Sequence, residues 1–120
     1  MAKTALDNID FKLFLTTTLN RGHIEGIDQG DVLILPVAAR DEEEQSTTQE
    51  SMFNYIRLSD GGIERLSNVR SEISILADIG KQLLPDSQVD FSQLKNHDTL
   101  RETIANTIPG LEKLKDIGVA

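Results

Sequence analysis

Cysteine is absent from this chain of 120 residues. That one absence excludes disulfides, cysteine-ligated zinc, Fe–S ligation and thiol nucleophiles together. Aromatic residues make up only 4% of the sequence, so aliphatic side chains must build any core. Basic residues are outnumbered, 12 Lys and Arg against 20 Asp and Glu, giving a net charge of -8. The cations are scattered, and binding nucleic acid requires a basic footprint. The same balance disfavours adhesion to an anionic membrane. No run approaches the roughly 20 apolar residues that span a bilayer. The first residues lack the apolar stretch of a secretory signal. The expectation is a cytoplasmic protein with no nucleic-acid or membrane partner.

What is present fits a soluble globular chain, with 38% hydrophobic and 27% charged residues. Its length suits one domain, or a fragment of one, over residues 1–120. Residues 1–8 read as an irregular start. Phe11-Lys12-Leu13-Phe14-Leu15-Thr16-Thr17-Thr18 is rich in β-branched and aromatic residues and predicts a strand. Asp31-Val32-Leu33-Ile34-Leu35-Pro36-Val37 predicts a second. Its consecutive aliphatics point to burial on both faces, as in a parallel sheet, and Pro36 marks its end. Residues 38–51 are polar almost throughout and read as a loop. Met52-Phe53-Asn54-Tyr55-Ile56-Arg57-Leu58 predicts a third strand, and Asp60-Gly61-Gly62 a turn.

The second half is helical in pattern. Val69, Ile73, Leu76, Ala77, Gly80, Leu83 and Leu84 recur every three to four residues, which predicts an amphipathic helix over about 68–84, closed by Pro85. Asp90 and Gln93 have the spacing of a capping box. Leu100, Ile104 and Ile108 mark one face of the next helix, and a short helix follows over 111–117. The expected fold is α/β: a small three-stranded, partly parallel sheet with the C-terminal helices packed on it.

Side chains with chemical potential are few. Asp41-Glu42-Glu43-Glu44 offers carboxylates to a hard cation, but it lacks the spaced acidic pattern and central glycine of a calcium loop and reads as solvated. His23 and His97 lack a second ligand at helical spacing and read as surface histidines. His97-Asp98 sits at a helix start, where Asp98 favours the positive end of the dipole. Ser46, Ser51 and Ser59 lack the glycines of a nucleophile elbow. Arg21, Arg40, Arg57, Arg65 and Arg70 fall near strand ends, where they serve either an anionic ligand or the abundant carboxylates.

One ordered series goes further. Thr18-Leu19-Asn20-Arg21 is followed by Leu33-Ile34-Leu35-Pro36, Arg40-Asp41-Glu42, and Gln45 with Gln49-Glu50-Ser51-Met52. Ser59-Asp60-Gly61-Gly62, Arg70-Ser71-Glu72, Leu100-Arg101, Ile104-Ala105 and Ile108-Pro109-Gly110 continue it. The series resembles the large (alpha) subunit of molybdopterin-dependent oxidoreductases, in particular the formate dehydrogenase-like group, over residues 11–118. The wider family carries Gly-Thr, Asn and Glu-Gly-Arg after the Leu-Pro strand, where this chain has Gln45-Ser46-Thr47-Thr48-Gln49-Glu50-Ser51.

The resemblance implies a fragment of the α/β region that precedes the C-terminal pterin-binding domain. It implies a scaffold near a molybdenum bis(molybdopterin guanine dinucleotide) cofactor in a parent enzyme, with the remaining domains of that enzyme as partners. No cofactor is expected on this chain alone, and no residue takes a catalytic or metal-ligating role. Arg21, Arg40, Glu42, Gln45, Thr48 and Gln49 are the expected cofactor-facing residues. The alternative expectation is a free-standing acidic protein-interaction domain.

Overall fold

The computed structural model describes residues 2–24, 29–52 and 55–119. The chain divides into two compact units, Met1–Val37 and Ala38–Ala120.

In the first unit, helix α1 (Ala2–Leu6) precedes strand β1 (Phe11–Thr16), a 3-10 turn (Arg21–His23) and strand β2 (Asp31–Pro36). The expected irregular start thus contains one short helix. β1 and β2 pair in parallel, from Phe11 opposite Asp31 to Thr16 opposite Pro36. Parallel strands need a crossover, and residues 17–30 supply it. Its turn is capped by Asn20, whose side chain accepts from the Gly22 amide at 2.8 Å. Its His23 ring lies 5.1 Å from the Phe14 ring. Gly30 takes φ +107°, and a Cβ there would meet the Asp10 carbonyl at 2.3 Å. Only glycine lets β2 start so close to β1. β1 stops at Thr16, two residues earlier than expected, because the Thr16 hydroxyl turns back to the Thr18 carbonyl. Lys12 is buried, and its Nζ donates to the Gln29 carbonyl at 2.8 Å. Pro36 closes β2 as its pattern predicts. Burial on both faces is not reached within this chain: Leu33 is 45% exposed.

The second unit holds strands β3 (Thr47–Glu50) and β4 (Ile56–Ser59), helix α2 (Glu72–Leu83), a 3-10 turn (Gln93–Lys95), helix α3 (His97–Thr107) and a 3-10 helix (Glu112–Val119). The three-stranded sheet is corrected here. The structure has two two-stranded sheets, parallel β1–β2 and antiparallel β3–β4. The reason is that part of the polar loop is a strand. Thr47-Thr48 and Gln49-Glu50 pair with Ser59-Leu58 and Arg57-Ile56, so backbone hydrogen bonds, not apolar alternation, define β3. The expected third strand shortens to Ile56–Ser59, and its Phe53 and Asn54 lie outside the described residues.

α2 begins later than its periodicity predicts, because Ser71 is the N-cap and accepts from the Ser74 amide. Its buried residues are Ile75 and Ala77, whereas Leu76 and Leu83 of the expected apolar face are exposed. Gly80 admits the Phe91 ring, which a Cβ would meet at 2.7 Å. The capping box expected at Asp90 and Gln93 is corrected: the N-cap of the 3-10 turn is Ser92, which makes no side-chain cap bond, and Asp90 Oδ1 accepts instead from the Ser92 amide at 3.0 Å. α3 is capped instead by Asn96, whose Oδ1 accepts from the Thr99 amide at 2.9 Å. The buried face of α3 is His97, Arg101 and Ala105, while Ile108 is 47% exposed.

The burial pattern of α2 yields a contrast. Ile75→Ala removes a buried side chain and should lower stability by about 2–4 kcal/mol. Leu83→Ala, on a residue 73% exposed, should stay within about 0.5 kcal/mol of the parent. Urea unfolding midpoints of the two variants measure both values.

Candidate functional site

The segment expected to face a ligand, residues 40–51, begins with a tight backbone turn. The Glu42 and Glu43 amides donate to the Ala39 carbonyl at 2.9 and 3.1 Å. The Glu42 carboxylate curls back to accept from the Ala39 amide at 2.7 Å. The Asp60-Gly61-Gly62 turn docks on this segment: Gly62 N donates to the Glu43 carbonyl at 2.8 Å and Ile63 N to the Asp41 carbonyl at 3.0 Å. A Cβ on Gly61 would lie 2.1 Å from the Glu43 carbonyl oxygen. The glycine pair is therefore a close-approach device as well as a turn.

The other end is held by α3. Gln45 Nε2 donates to the Lys95 carbonyl at 2.9 Å, and its Oε1 accepts from the His97 amide at 2.9 Å. The Ser46 carbonyl faces His97 Nδ1 at 3.1 Å and accepts from Arg101 Nη1 at 2.9 Å. Arg101 Nη2 donates to Asp98 at 2.5 Å. Thus the Gln45 side chain takes one backbone donor of the first turn of α3, of the kind every helix must satisfy, while the Ser46 carbonyl engages the side chains of His97 and Arg101.

Between these ends lies a cavity of about 390 Å³, lined by Glu42, Glu43, Glu44, Glu64, Arg65 and Lys95 among others. Its two cations are already engaged. Arg65 contacts Asp41 at 2.6 Å and Glu42 at 3.4 Å. Lys95 Nζ contacts Asp78 at 2.5 Å, and Arg70 pairs with the same carboxylate. The Arg65 hydrogen bond holds the Asp41 carboxyl below its ordinary value, and Asp41 in turn raises the Arg65 guanidinium. Lys95, then Arg70, lower Asp78 likewise. No three His, Asp or Glu side chains among the described residues are placed to hold a metal ion together.

The six expected ligand-facing residues separate in this geometry. Arg21 opens the 3-10 turn of the first unit and is exposed. The other five belong to the second unit. Glu42 and Gln45 are engaged in holding the loop. Arg40 Nη1 donates to Gln49 Oε1 at 2.5 Å, so these two are brought together on the solvent side. Thr48, opposite Leu58, is exposed as well. Sequence reasoning missed His97 and Arg101. His97 is not a surface residue but 3% exposed, because its ring lies against the loop. His23 is half-buried, held by the Asn20 amide at 3.2 Å on Nδ1. The available signal was the four-residue spacing of His97, Arg101 and Ala105, which one helical face requires.

Comparison with known proteins adds nothing to this geometry: no family model, curated protein or solved structure matches the chain.

Three outcomes test this arrangement. Gly61→Ala should cost about 1–3 kcal/mol by overpacking against backbone. Gln45→Ala strands the His97 amide and Lys95 carbonyl and should cost a similar 1–3 kcal/mol; chemical denaturation measures both. The third concerns pH. Asp78 is lowered in the fold, so its contribution is present above the ordinary aspartate range and is lost as pH falls through its lowered value. Asp78→Asn should therefore destabilise at neutral pH, with the difference from the parent vanishing well below about pH 4.

Proposed function

We propose that this chain is a non-catalytic part of a molybdopterin-dependent oxidoreductase of the formate dehydrogenase-like group, serving as scaffold beside the molybdenum bis(molybdopterin guanine dinucleotide) cofactor within the remaining domains of the enzyme. The observation that carries the reading is incomplete enclosure. None of the described side chains reaches full burial, while Phe11, Leu33, Leu76 and Leu83 present large apolar surface. A parallel pair of apolar strands is a form otherwise covered on both faces, and a two-stranded sheet is marginal alone. A larger body supplies the missing cover. The resemblance of the ordered residue series from Leu33 to Gly110 supports the choice of that body.

The donor set of the loop fits an anionic dinucleotide in part. A guanidinium, a carboxamide and a hydroxyl, from Arg40, Gln49 and Thr48, stand exposed on β3 and its approach. Arg40 offers bidentate contact to phosphate, and Gln49 and Thr48 offer hydrogen bonds to phosphate or pterin edges. Glu42 and Gln45 hold the loop in shape instead of facing the ligand. When bound, the cofactor supplies the redox chemistry, and the protein positions it.

A second reading draws on the net charge of -8 and the exposed Leu76, Leu83 and Leu84. It makes the chain an acidic interaction domain that docks a partner.

Sequencing the genomic DNA and transcript around the reading frame tests the first reading. The expected result is coding sequence for a pterin-binding domain, continuous with this chain or immediately beside it. A transcript holding this chain alone, with no molybdenum-enzyme gene nearby, overturns it. Gel filtration with an apolar-surface dye then weighs the two readings. Self-association with strong dye binding follows from a severed interface, and a dye-silent monomer from an independent domain.

A further inference from the structure

Among the described residues, the His97 ring is a buried titratable group whose second nitrogen has no use in the loop clamp. Its Nδ1 faces the Ser46 carbonyl at 3.1 Å, and a carbonyl only accepts, so Nδ1 carries the hydrogen. In the neutral ring Nε2 is then an acceptor. Nε2 is buried without a hydrogen-bond partner. It faces Glu43 Oε1, another acceptor, across 3.9 Å. The two side chains are 3% and 12% exposed. Two lone pairs thus confront each other in a poorly solvated place, which is costly. A single proton turns the confrontation into a charge-assisted hydrogen bond, for which the gap closes to about 2.8 Å.

We propose that Glu43 and His97 form a one-proton site that latches residues 43–46 to the first turn of α3. The proton comes from solvent water and returns to it, and no other bond changes. Glu43 also lines the cavity, as does Glu64. Asp60 Oδ1 accepts from the Ser46 hydroxyl at 2.9 Å. Arg101 on α3 is held by the Ser46 carbonyl and by Asp98. Glu42 on the loop is paired with Arg65. Lys95, on the preceding turn, is held by Asp78. Glu44 lines the same cavity and is exposed. Of the charges named, Glu43 is the one that faces Nε2. With the proton in place the latch is closed; without it the pair stands apart, and the loop is tied to the start of α3 through Gln45 and the Ser46 carbonyl.

The test is a pH titration of the full chain by NMR, following the His97 ring nitrogens and the backbone amides of residues 43–46 and 97. The latch predicts that ring and amides move together along one common curve. It also predicts that Glu43→Gln abolishes the pH dependence of those amides, because the carboxamide pairs with Nε2 in either ring state, donating to the neutral ring and accepting from the charged one. Circular dichroism checks that this isosteric variant keeps its helices. Loop amides that do not follow the His97 ring in the parent chain, or a Glu43→Gln variant whose amides titrate as the parent's do, overturn the proposal.

Discussion

The arrangement of the second unit depends on the need of α3 to satisfy the donors of its first turn. Asn96 caps one amide, and Gln45 reaches across more than fifty residues of chain to take another, its amide group bridging the Lys95 carbonyl and the His97 amide. Arg101, on the following turn, closes onto the Ser46 carbonyl. The Gln45 and Arg101 contacts are part-buried, so leaving any of them unmade carries the cost of an unsatisfied group, not merely the loss of a weak bond. They fix where residues 43–46 lie. The strand Thr47–Glu50 follows directly, because its pairing with Ile56–Ser59 begins where the clamp ends.

Charge is organised around the same segment. Several of the carboxylates are paired with cations brought in from other segments of the chain. Arg65 links Asp41 and Glu42 to the segment after the glycine turn, and Asp78 on α2 gathers Arg70 and Lys95. These pairs lie near the surface, where each contributes little. Their effect is to hold chain segments in register around the cavity. Of the four consecutive carboxylates, residues 41–44, Asp41 and Glu42 share Arg65, Glu43 has the His97 ring as its neighbour, and Glu44 is exposed.

Incomplete apolar cover ties the fold to the proposed function. The aliphatics of β2 form a run suited to a central strand, yet β2 has one partner and Leu33 stands partly in solvent. On α2 the apolar periodicity extends around more of the helix than its neighbours cover, leaving Leu76 and Leu83 outside. These surfaces suit attachment to further protein, and the exposed Arg40, Thr48 and Gln49 suit contact with an anionic group.

Much of the local structure was legible in the residues. β-branched and aliphatic runs located β1 and β2, and the three-to-four periodicity located α2 and α3, because these signals arise from neighbours within a few positions. The glycines of the 60–62 turn were legible too, but their role in close approach to Glu43 was not, since the atom they avoid is nearly twenty residues away. β3 escaped because a short polar strand has no apolar alternation, and its only evidence is its partner. His97 looked like a surface residue because burial of a polar ring depends on finding a carbonyl in space, here Ser46. Composition and pattern therefore settle the α/β character, the acidic surface and the lack of cysteine chemistry. Pairing, burial of polar groups and the division of carboxylates among cations belong to three dimensions, because each rests on contacts between residues far apart along the chain.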